Sequence, residues 1–379
     1  MRLINTQFIL KEKRYSWIDY DKGISIILVG YGHALDALGD NNIYQGHSFF
    51  FAYLGMLLYG FRMPLFFFIS GVFLSGSLQR KSYPGYVKGR INNILYPLIV
   101  WGILEIVVWT AYNYHQTHSF NLHLFLSLFT NPRIIGNGHL WYLNALFAIG
   151  VVYAFLKVKL KVSPVAQIFL GLGLYCVSAY LHVNDIDAGI LTDYCAFFIY
   201  FAIGDTISSI VLNKENVDRF ASLKIFFPLF IIFAFMQYYC THVNLTVGQG
   251  SDRFVEYKRP FLYMAEAMIG CILSVNVSFQ LQKHKILRFL RVIGFHSLFI
   301  YCMQFIFISA AKVLLVYGLK FTYYPVLVPL LWISGVIPPM LFYTLCLRYN
   351  MWRLFVFVKP EREIAALKGE ETPSLAKAS

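Results

Sequence analysis

The hydrophobic positions of the chain fall into long runs that are separated by short polar segments. A helix needs about 20 apolar residues to cross a bilayer, and about ten of the runs approach or exceed that length. The pattern therefore predicts an all-α fold: a polytopic membrane helical bundle of about ten transmembrane helices. The predicted spans are residues 23–38, 48–77, 91–112, 140–156, 164–181, 189–212, 220–240, 260–279, 293–317 and 326–347.

The first two spans depart from a plain apolar run. The first is short unless it begins near Trp17, and the second contains Arg62, Met63 and Pro64 near its middle. A proline inside a helix removes a backbone hydrogen bond, so the sequence predicts a kink in the second span.

Composition and charge agree with the span pattern and orient it. Only 13% of residues are charged, 58% are hydrophobic and the mean hydropathy is +0.59. The net charge of +13 does not indicate nucleic-acid binding, because the cations lie in short clusters between the spans, as the positive-inside rule expects. With the N-terminus in the cytoplasm, 24 of the 32 Lys and Arg residues fall on the cytoplasmic side and six on the outer side. We expect a multi-pass protein of the plasma membrane (the inner membrane of a bacterium) with both termini cytoplasmic.

The domain organisation follows from the same pattern. We expect a cytoplasmic N-terminal segment at 1–16, a ten-span membrane domain at 17–348 and a cytoplasmic tail at 349–379. No stretch near the start has the form of a cleavable signal peptide, so the first span is expected to direct insertion. The six cysteines lie in or beside apolar runs without a CxxC pair, and the outer-loop histidines are loosely spaced, so we predict no metal site.

The first span carries the clearest candidate chemistry. Lys22 and His33 are eleven residues apart, so in a helix they share a face and lie roughly 16 Å apart along the axis. Asp36 is one turn beyond His33, where its carboxylate can orient or charge the ring and make it a general base. The alternative is that His33 is a polar residue that caps the span near water.

Charged residues in other spans are the next candidates. Arg62 in the second span needs a partner or a water-filled cavity, or else it snorkels to an interface. Glu105 and Glu266 are intramembrane carboxylates, and either could pair with Arg62 or Lys22. Ser70, which precedes a glycine, permits close helix approach.

Two further segments have alternative interpretations. His139, Trp141 and Tyr142 open the fourth span, where the aromatic pair is either an interfacial belt or a sugar-stacking platform at a site mouth. The basic loop between the second and third spans contains Lys88 and Arg90 beside Arg80 and Lys81. It is either a topology determinant or a site for the phosphates of an acyl donor.

Together these motifs resemble the acyltransferase 3 family, particularly its fucose 4-O-acetylase-like branch, from about residue 15 to 348. The matching elements are Lys22 with His33; Arg62 followed by Phe67, Phe68, Ser70 and Gly71; the HLWYL stretch at 139–143; and GFHSLFIYCMQ at 294–304, around Ser297 and Tyr301. Two positions depart from the family pattern. Asn93 stands where many members have a second arginine after Arg90, and Gln304 stands where many have a histidine.

The resemblance implies an integral membrane O-acyltransferase. Such an enzyme takes an acyl group, in most cases acetyl from cytoplasmic acetyl-CoA, and passes it to a hydroxyl of an envelope carbohydrate such as an exopolysaccharide, O-antigen or lipid-linked glycan. Acetyl-CoA is then a co-substrate, no cofactor is bound, and the partners are the acyl-CoA donor, the carbohydrate acceptor and the bilayer. Which sugar, which hydroxyl and which acyl group remain open, as does the oligomeric state.

The resemblance also implies roles for individual residues. The catalytic set would be His33, as a base or transient acyl carrier, with Lys22, Arg62, Asp36 and Glu105. Substrate would bind at Ser70, His139, Trp141, Tyr142, Ser297 and Tyr301, and the donor at Lys88 and Arg90. We expect Lys22, His33 and Arg62 to share one water-accessible cleft, with a polar path through the bundle for the acyl group. The alternative function is an exporter or flippase of glycan intermediates whose pathway is lined by the same charges.

Overall fold

The structure is a computed structural model and describes residues 6–10, 15–39, 49–117, 122–136 and 138–368. In these residues the regular secondary structure is helical throughout, which confirms the all-α prediction. Parts of four predicted features lie outside the described residues: most of segment 1–16, the start of the second span at Ser48, Asn137 in the loop before the fourth span, and the end of the tail.

Twenty-one α-helices are present in the described part of the chain. They are α1 (Thr6–Leu10), α2 (Trp17–Gly39), α3 (Phe49–Leu57), α4 (Arg62–Val72), α5 (Leu74–Arg80), α6 (Tyr83–Arg90), α7 (Tyr96–Thr117), α8 (His123–Thr130), α9 (Trp141–Val158), α10 (Pro164–Val183), α11 (Ile190–Thr206), α12 (Ser208–Val211), α13 (Val217–Phe220), α14 (Leu223–Thr246), α15 (Phe254–Lys258), α16 (Pro260–His284), α17 (Phe289–Phe295), α18 (Ser297–Lys312), α19 (Tyr324–Ser334), α20 (Ile337–Arg348) and α21 (Glu361–Lys368).

Eight helical stretches of the described chain are long and apolar enough to cross a membrane. They are Phe49–Arg80, Tyr83–Ala111, Trp141–Val158, Pro164–Val183, Leu223–Thr246, Pro260–His284, Ser297–Gly318 and Tyr324–Arg348. The remaining two predicted spans correspond to α2, which carries several charged residues, and to α11, which has 17 residues and continues into α12. The protein is therefore a multi-pass membrane protein.

The predicted interruption of the second span is confirmed. Helix α3 ends at Leu57, a turn follows, and α4 begins at Arg62 with Pro64 in its first turn. Proline is tolerated there because the first backbone N–H groups of a helix have no partner within it.

Two other interruptions were not predicted. The ninth span breaks at His296 between α17 and α18, and the tenth breaks at Gly335–Val336 between α19 and α20. In the tenth span, Pro338 and Pro339 supply no N–H to the preceding turn, which accounts for the second break. A π-helical turn, Ile91–Leu95, joins α6 to α7.

Helix α2 lies at the centre of the bundle, where it packs against α3, α4, α16, α17, α18 and α19. It approaches α17 closely, since a Cβ at Gly23 would lie 2.2 Å from the carbonyl oxygen of Leu290. Helix α14, in contrast, buries few side chains and presents exposed residues such as Phe235 outward. The residues of α2 singled out in the sequence are therefore inside the bundle, whereas α14 faces lipid.

Candidate active site

A polar cavity of the bundle has a volume of ≈ 320 Å³ and is rich in cations. We call it the basic cavity; its polar lining consists of Lys22, Ser70, Ser77, Arg80, Lys81, Tyr86, Arg90 and Asn93. These residues come from α2, α4, α5, α6 and the segments after α5 and α6. The cavity therefore forms where the start of α2 meets the basic loop between the second and third spans.

Arg90 is held firmly in the wall of the basic cavity. Its Nε donates to the hydroxyl of Tyr86 at 2.8 Å, and its guanidinium lies 5.9 Å from the ring centroid of Phe201. A Cβ at Gly150 of α9 would lie 2.5 Å from one guanidinium nitrogen of Arg90. The glycine therefore provides the space that the arginine side chain occupies.

Several predicted site residues on this side of the bundle lie elsewhere than expected. Lys88, predicted beside Arg90 as a donor-binding residue, is exposed and outside the cavity lining, because it points to a different face of α6. Ser70, predicted to bind substrate with the His33 group, lines the basic cavity instead. Lys22 does so as well, so the predicted single cleft for Lys22, His33 and Arg62 is wrong.

The second cavity has a volume of ≈ 90 Å³ and lies further along α2. We call it the histidine cavity; its polar lining consists of His33, Asp36, Tyr59, Arg62, Arg133, His139, Trp141, Arg253, Glu256, Tyr263 and Tyr301. It thus brings together His33, Asp36, Arg62, His139, Trp141 and Tyr301 from the predicted site.

His33 projects into this cavity with its side chain 15% exposed. Its Nδ1 lies 3.4 Å from Oδ2 of Asp36, one turn later on α2. The ring centroid lies 5.7 Å from that of His139 in an edge-on arrangement. The imidazole is therefore beside a carboxylate, next to a second imidazole and within reach of the cavity.

His139 is paired with Glu105, which is in α7. Nε2 of His139 lies 3.1 Å from Oε1 of Glu105, and the two side chains are 0% and 4% exposed. The hydroxyl of Tyr301 donates to the backbone carbonyl of His139. The predicted pairing of Glu105 with Arg62 or Lys22 is wrong, because the loop before α9 folds inward and places His139 against Glu105.

That inward fold depends on Gly138. Its φ of +71° lies in the left-handed region, and a Cβ there would lie 2.4 Å from the carbonyl oxygen of Arg133. Only glycine fits both constraints.

Arg62 is enclosed by the bundle and does not snorkel to an interface. Its guanidinium lies 4.7 Å from the ring centroid of Tyr59, and Nη1 donates to the carbonyl oxygen of Leu28 at 3.4 Å. A Cβ at Gly32 would lie 2.1 Å from Nη1. Within the described residues the guanidinium makes no ion pair with a carboxylate, so it retains capacity to bind an anion.

Arg133 closes one side of the histidine cavity from the segment before α9. It binds Asp193 through two hydrogen bonds, of 3.1 Å and 2.5 Å, and its guanidinium lies 4.3 Å from the ring centroid of Trp141. This contact covers one face of the indole, and Phe197 packs beside it at 5.0 Å.

The aromatic pair of the fourth span is accordingly buried. Arg133 covers one face of Trp141, which lines the histidine cavity, whereas Tyr142 packs against Phe66 and Phe67 and lines neither cavity. An interfacial belt does not fit this buried pair, and the sugar-stacking platform at a site mouth stays a prediction for Trp141. Ser297 is also buried, at the start of α18, and lies outside both cavity linings.

A second segment, around α15, contributes residues that the sequence did not single out as a site. Arg253 and Glu256, beside or within α15, line the histidine cavity, and the Tyr59 hydroxyl donates to Oε2 of Glu256 at 2.5 Å. Burial raises the pKa of Glu256 above its ordinary value, while Arg133 and the Tyr59 hydroxyl act in the opposite direction. The available signal was the unusual density of charges in the loop at 241–259.

Glu266, the other intramembrane carboxylate, lies away from both cavities. It sits against Gly60, where a Cβ would lie 2.1 Å from Oε1, and beside Cys240 and Gln237 on α14. Pairing with Arg62 or Lys22 is therefore wrong for this residue also. Among the described residues no group of three His, Cys, Asp or Glu side chains is arranged to hold a metal ion.

The expected polar path is not present as one continuous cavity, since the two cavities share no lining residue among the described residues. Along α2 and α4, Ile26 and Phe67 lie between them and are fully buried, and the hydroxyl of Ser25 is occupied by donating to the carbonyl oxygen of Arg62 at 2.8 Å. The site consists of two polar chambers with a nonpolar layer between them.

A family model described as an acyltransferase domain, acyltransferase 3, matches residues 15–348. The nodulation protein NolL of Mesorhizobium japonicum is 41% identical over 93 residues, which are 24% of this chain and 23% of that protein. The NolL of Sinorhizobium fredii is 38% identical over 84 residues, 22% of either chain. The matched stretch thus spans less than a quarter of these relatives, and no solved structure matches the chain. Since the family model covers most of its length, the chain belongs to the acyltransferase 3 family.

Proposed function

We propose that this protein is an integral membrane O-acyltransferase that moves acetyl from cytoplasmic acetyl-CoA to a hydroxyl of a cell-envelope carbohydrate. The observation that carries the proposal is the content of the histidine cavity: the imidazole of His33, set beside Asp36, shares it with the guanidinium of Arg62. A base and a cation in one chamber are what acyl transfer to a hydroxyl needs.

The basic cavity suits the donor. Lys22, Arg80, Lys81 and Arg90 present four cationic side chains around ≈ 320 Å³. Lysine and arginine bind phosphate groups through charge-assisted hydrogen bonds, and CoA carries several phosphates. The positive-inside charge bias supports a topology with both termini in the cytoplasm and this cavity on the cytoplasmic side of a plasma membrane. The donor is made on that side.

The histidine cavity suits the chemistry. His33 would take the proton of the acceptor hydroxyl as the oxygen attacks the thioester carbonyl. Arg62 would stabilise the oxyanion that forms on the carbonyl oxygen. The C–S bond then breaks as the C–O ester bond is completed, and the proton passes from His33 to the departing thiolate. Asp36 would orient the ring and stabilise the imidazolium.

Acceptor binding would use the outer loops. Arg133, Arg253, Glu256 and the hydroxyls of Tyr59, Tyr263 and Tyr301 surround the chamber with donors and acceptors. A carbohydrate hydroxyl is recognised by such mixed polar groups. The alternative function, export or flipping of a glycan intermediate, is less well supported, because the two chambers do not form a continuous polar pathway and the family is one of acyltransferases.

The test is covalent transfer by the purified protein. Full-length protein in lipid nanodiscs is incubated with acetyl-CoA labelled in the acetyl group and with glycan from membranes that lack the protein. We expect labelled glycan with wild type and none with His33→Ala. His242→Ala, which removes an exposed histidine on α14, is the matched control and should retain activity. Wild-type protein that moves glycan between leaflets without labelling it would instead support the transporter.

A further inference from the structure

On α4, a single side chain separates the two cavities. Met63, Phe67, Ser70 and Leu74 are spaced by four, three and four residues, so they share one face of that helix. Met63 lines the histidine cavity, whereas Ser70 and Leu74 line the basic cavity. Phe67, fully buried, lies between them and separates the two chambers on this helix.

Helix α2 repeats the arrangement. Lys22 lines the basic cavity and Val29 lines the histidine cavity, while Ile26, fully buried, lies on the same stripe between them. Seven residues of helix separate Lys22 from Val29, so the two chambers are about 10 Å apart along the axis.

Phe67 is the centre of an aromatic cluster. Its ring stacks on that of Phe197 at 4.7 Å with an angle of 22°, and meets Tyr142 edge-on at 5.3 Å. Phe197 in turn lines the histidine cavity, and Tyr142 packs on Tyr301 at 5.1 Å. The ring of Phe67 therefore touches the wall of the chamber that contains His33.

The helices that carry this cluster cannot easily separate. A Cβ at Gly71 would lie 2.1 Å from the carbonyl oxygen of Phe201, and a Cβ at Gly204 would lie 2.1 Å from that of Phe68. Helices α4 and α11 are thus in backbone contact just beside the layer. Passage between the chambers must then come from rotation of side chains about their own torsions rather than from helix movement.

Transfer requires something to cross this layer. The phosphates of CoA fit the basic cavity, whereas the reacting hydroxyl belongs beside His33, and the thioester carbonyl must come within bonding distance of that hydroxyl. The acyl group is carried on the flexible pantetheine arm, so it is the part of the donor that can reach through. A layer of rings that parts by side-chain rotation admits the acyl thioester at the tip of this arm and holds back water and ions.

Building on the proposed function, we propose that Phe67 is the specificity-determining residue of this enzyme: it gates the passage between the cavities and limits the acyl group to short chains. The ring is not a catalytic group, since it contacts the route of the acyl group and not the proton transfer. Its size decides which acyl-CoA can deliver its acyl carbon to His33.

The experiment compares acyl donors of increasing length. Full-length wild type, Phe67→Leu and Phe67→Ala in nanodiscs are given acetyl-, propionyl- and butyryl-CoA with the same glycan, and initial rates are measured. We expect each substitution to raise the butyryl-to-acetyl rate ratio, by about tenfold for alanine, since one methylene in an apolar pocket discriminates by roughly 10–200-fold. Hydrolysis of acetyl-CoA without acceptor should rise as well, because water gains access.

Two further variants keep the outcome decisive. Phe198→Leu alters a buried ring on α11 that packs on Tyr153 at 5.5 Å and lines neither cavity. This control should leave the butyryl-to-acetyl rate ratio at its wild-type value. Phe67→Trp enlarges the ring, so it should slow acetyl transfer, while CoA binding, measured separately, should be unchanged. This variant tests the gate if the variants with smaller side chains do not fold. Unchanged chain-length ratios in folded Phe67 variants would overturn the gate. Absence of transfer by wild type from every acyl-CoA would instead overturn the proposed function.

Discussion

Glu105 and His139 join two distant parts of the chain inside the bundle, with Oε1 of the glutamate 3.1 Å from Nε2 of the histidine. Both side chains are almost fully buried, and the ring of His139 faces that of His33. The carboxylate of Glu105 holds the second imidazole in place beside the first. Glu105 thus holds in position a residue that lines the histidine cavity.

The first prediction concerns this pair. Glu105→Gln removes the negative charge with little change of shape, so we expect kcat for acetyl transfer to fall about tenfold, equivalent to about 1.4 kcal/mol of lost ion-pair attraction. The KM for acetyl-CoA should be unchanged, because we propose that the donor phosphates bind in the basic cavity. Glu215→Gln, on an exposed turn, is the control. A rise in KM with unchanged kcat would place Glu105 in donor binding instead.

The second prediction separates the cations of the basic loop. Lys81 lines the basic cavity, and Lys88 is exposed outside it. Lys81→Ala should raise the KM for acetyl-CoA about tenfold, since a hydrogen bond to a charged group contributes on the order of 1.5–3 kcal/mol. Lys88→Ala should behave as wild type.

Steady-state kinetics at two salt concentrations measures this difference. The loss caused by Lys81→Ala should shrink at high ionic strength, because salt screens the interaction of phosphates with partly exposed cations. Equal effects of the two substitutions would mean that the donor contacts the loop as a whole.

The third prediction follows from the buried carboxyl of Glu256. Burial raises its pKa in the folded protein, so the folded state binds this proton more tightly than the unfolded chain does. The associated stability is present below the ordinary carboxyl pKa and is lost as the pH rises through the raised value. Relative to Glu256→Gln, the wild type should therefore lose thermal stability as the pH increases from about 4 towards neutrality.

Melting temperatures of both proteins across this pH range test the sign. Glu361→Gln, at an exposed position, should follow the wild-type curve. A wild type that gains stability with pH relative to Glu256→Gln would show that Arg133 and the Tyr59 hydroxyl outweigh burial.

The part of the site that lies on α2 and α4 could be predicted because it depends on local spacing. The interval from His33 to Asp36 is one helical turn, and Arg62 interrupts an apolar run, so each is visible in the sequence. Membrane insertion and helix periodicity then determine which residues face the interior. The same local logic predicted the break before Pro64.

The rest depends on contacts between distant segments. Arg133, Arg253 and Glu256 reach the histidine cavity only because the segments before α9 and around α15 fold over it. No periodicity in those segments encodes that docking. The prediction of a polar path was wrong for a related reason. The spacing of Lys22 and His33 shows that they share one face of α2, but the side chains that pack against this face, such as Phe67 and Tyr142, belong to other helices. The contact of Trp141 with Arg133 could not be predicted either, because Arg133 lies in a loop.

The fourth prediction uses the contact of Arg62 with α2. A Cβ at Gly32 would lie 2.1 Å from Nη1 and 2.7 Å from Cζ of Arg62, whereas a Cβ at Gly76 would meet nothing within 4 Å. Because the obstructing atoms are the flexible end of a side chain, Gly32→Ala should fold and displace the guanidinium by about 1 Å or more. Displacement on that scale can cost about 100-fold in rate.

The matched pair Gly32→Ala and Gly76→Ala therefore tests whether the position of Arg62, and not only its presence, matters. Both are the same chemical change in a helix, so their effects on helix propensity are comparable. We expect acetyl transfer to be nearly lost in the first and retained in the second, with similar melting temperatures. Arg62→Lys should resemble Gly32→Ala, since an ammonium cannot reproduce the fork of the guanidinium. If Gly32→Ala keeps full activity while Arg62→Lys does not, the guanidinium tolerates displacement, and its role is electrostatic at longer range rather than direct contact with the oxyanion.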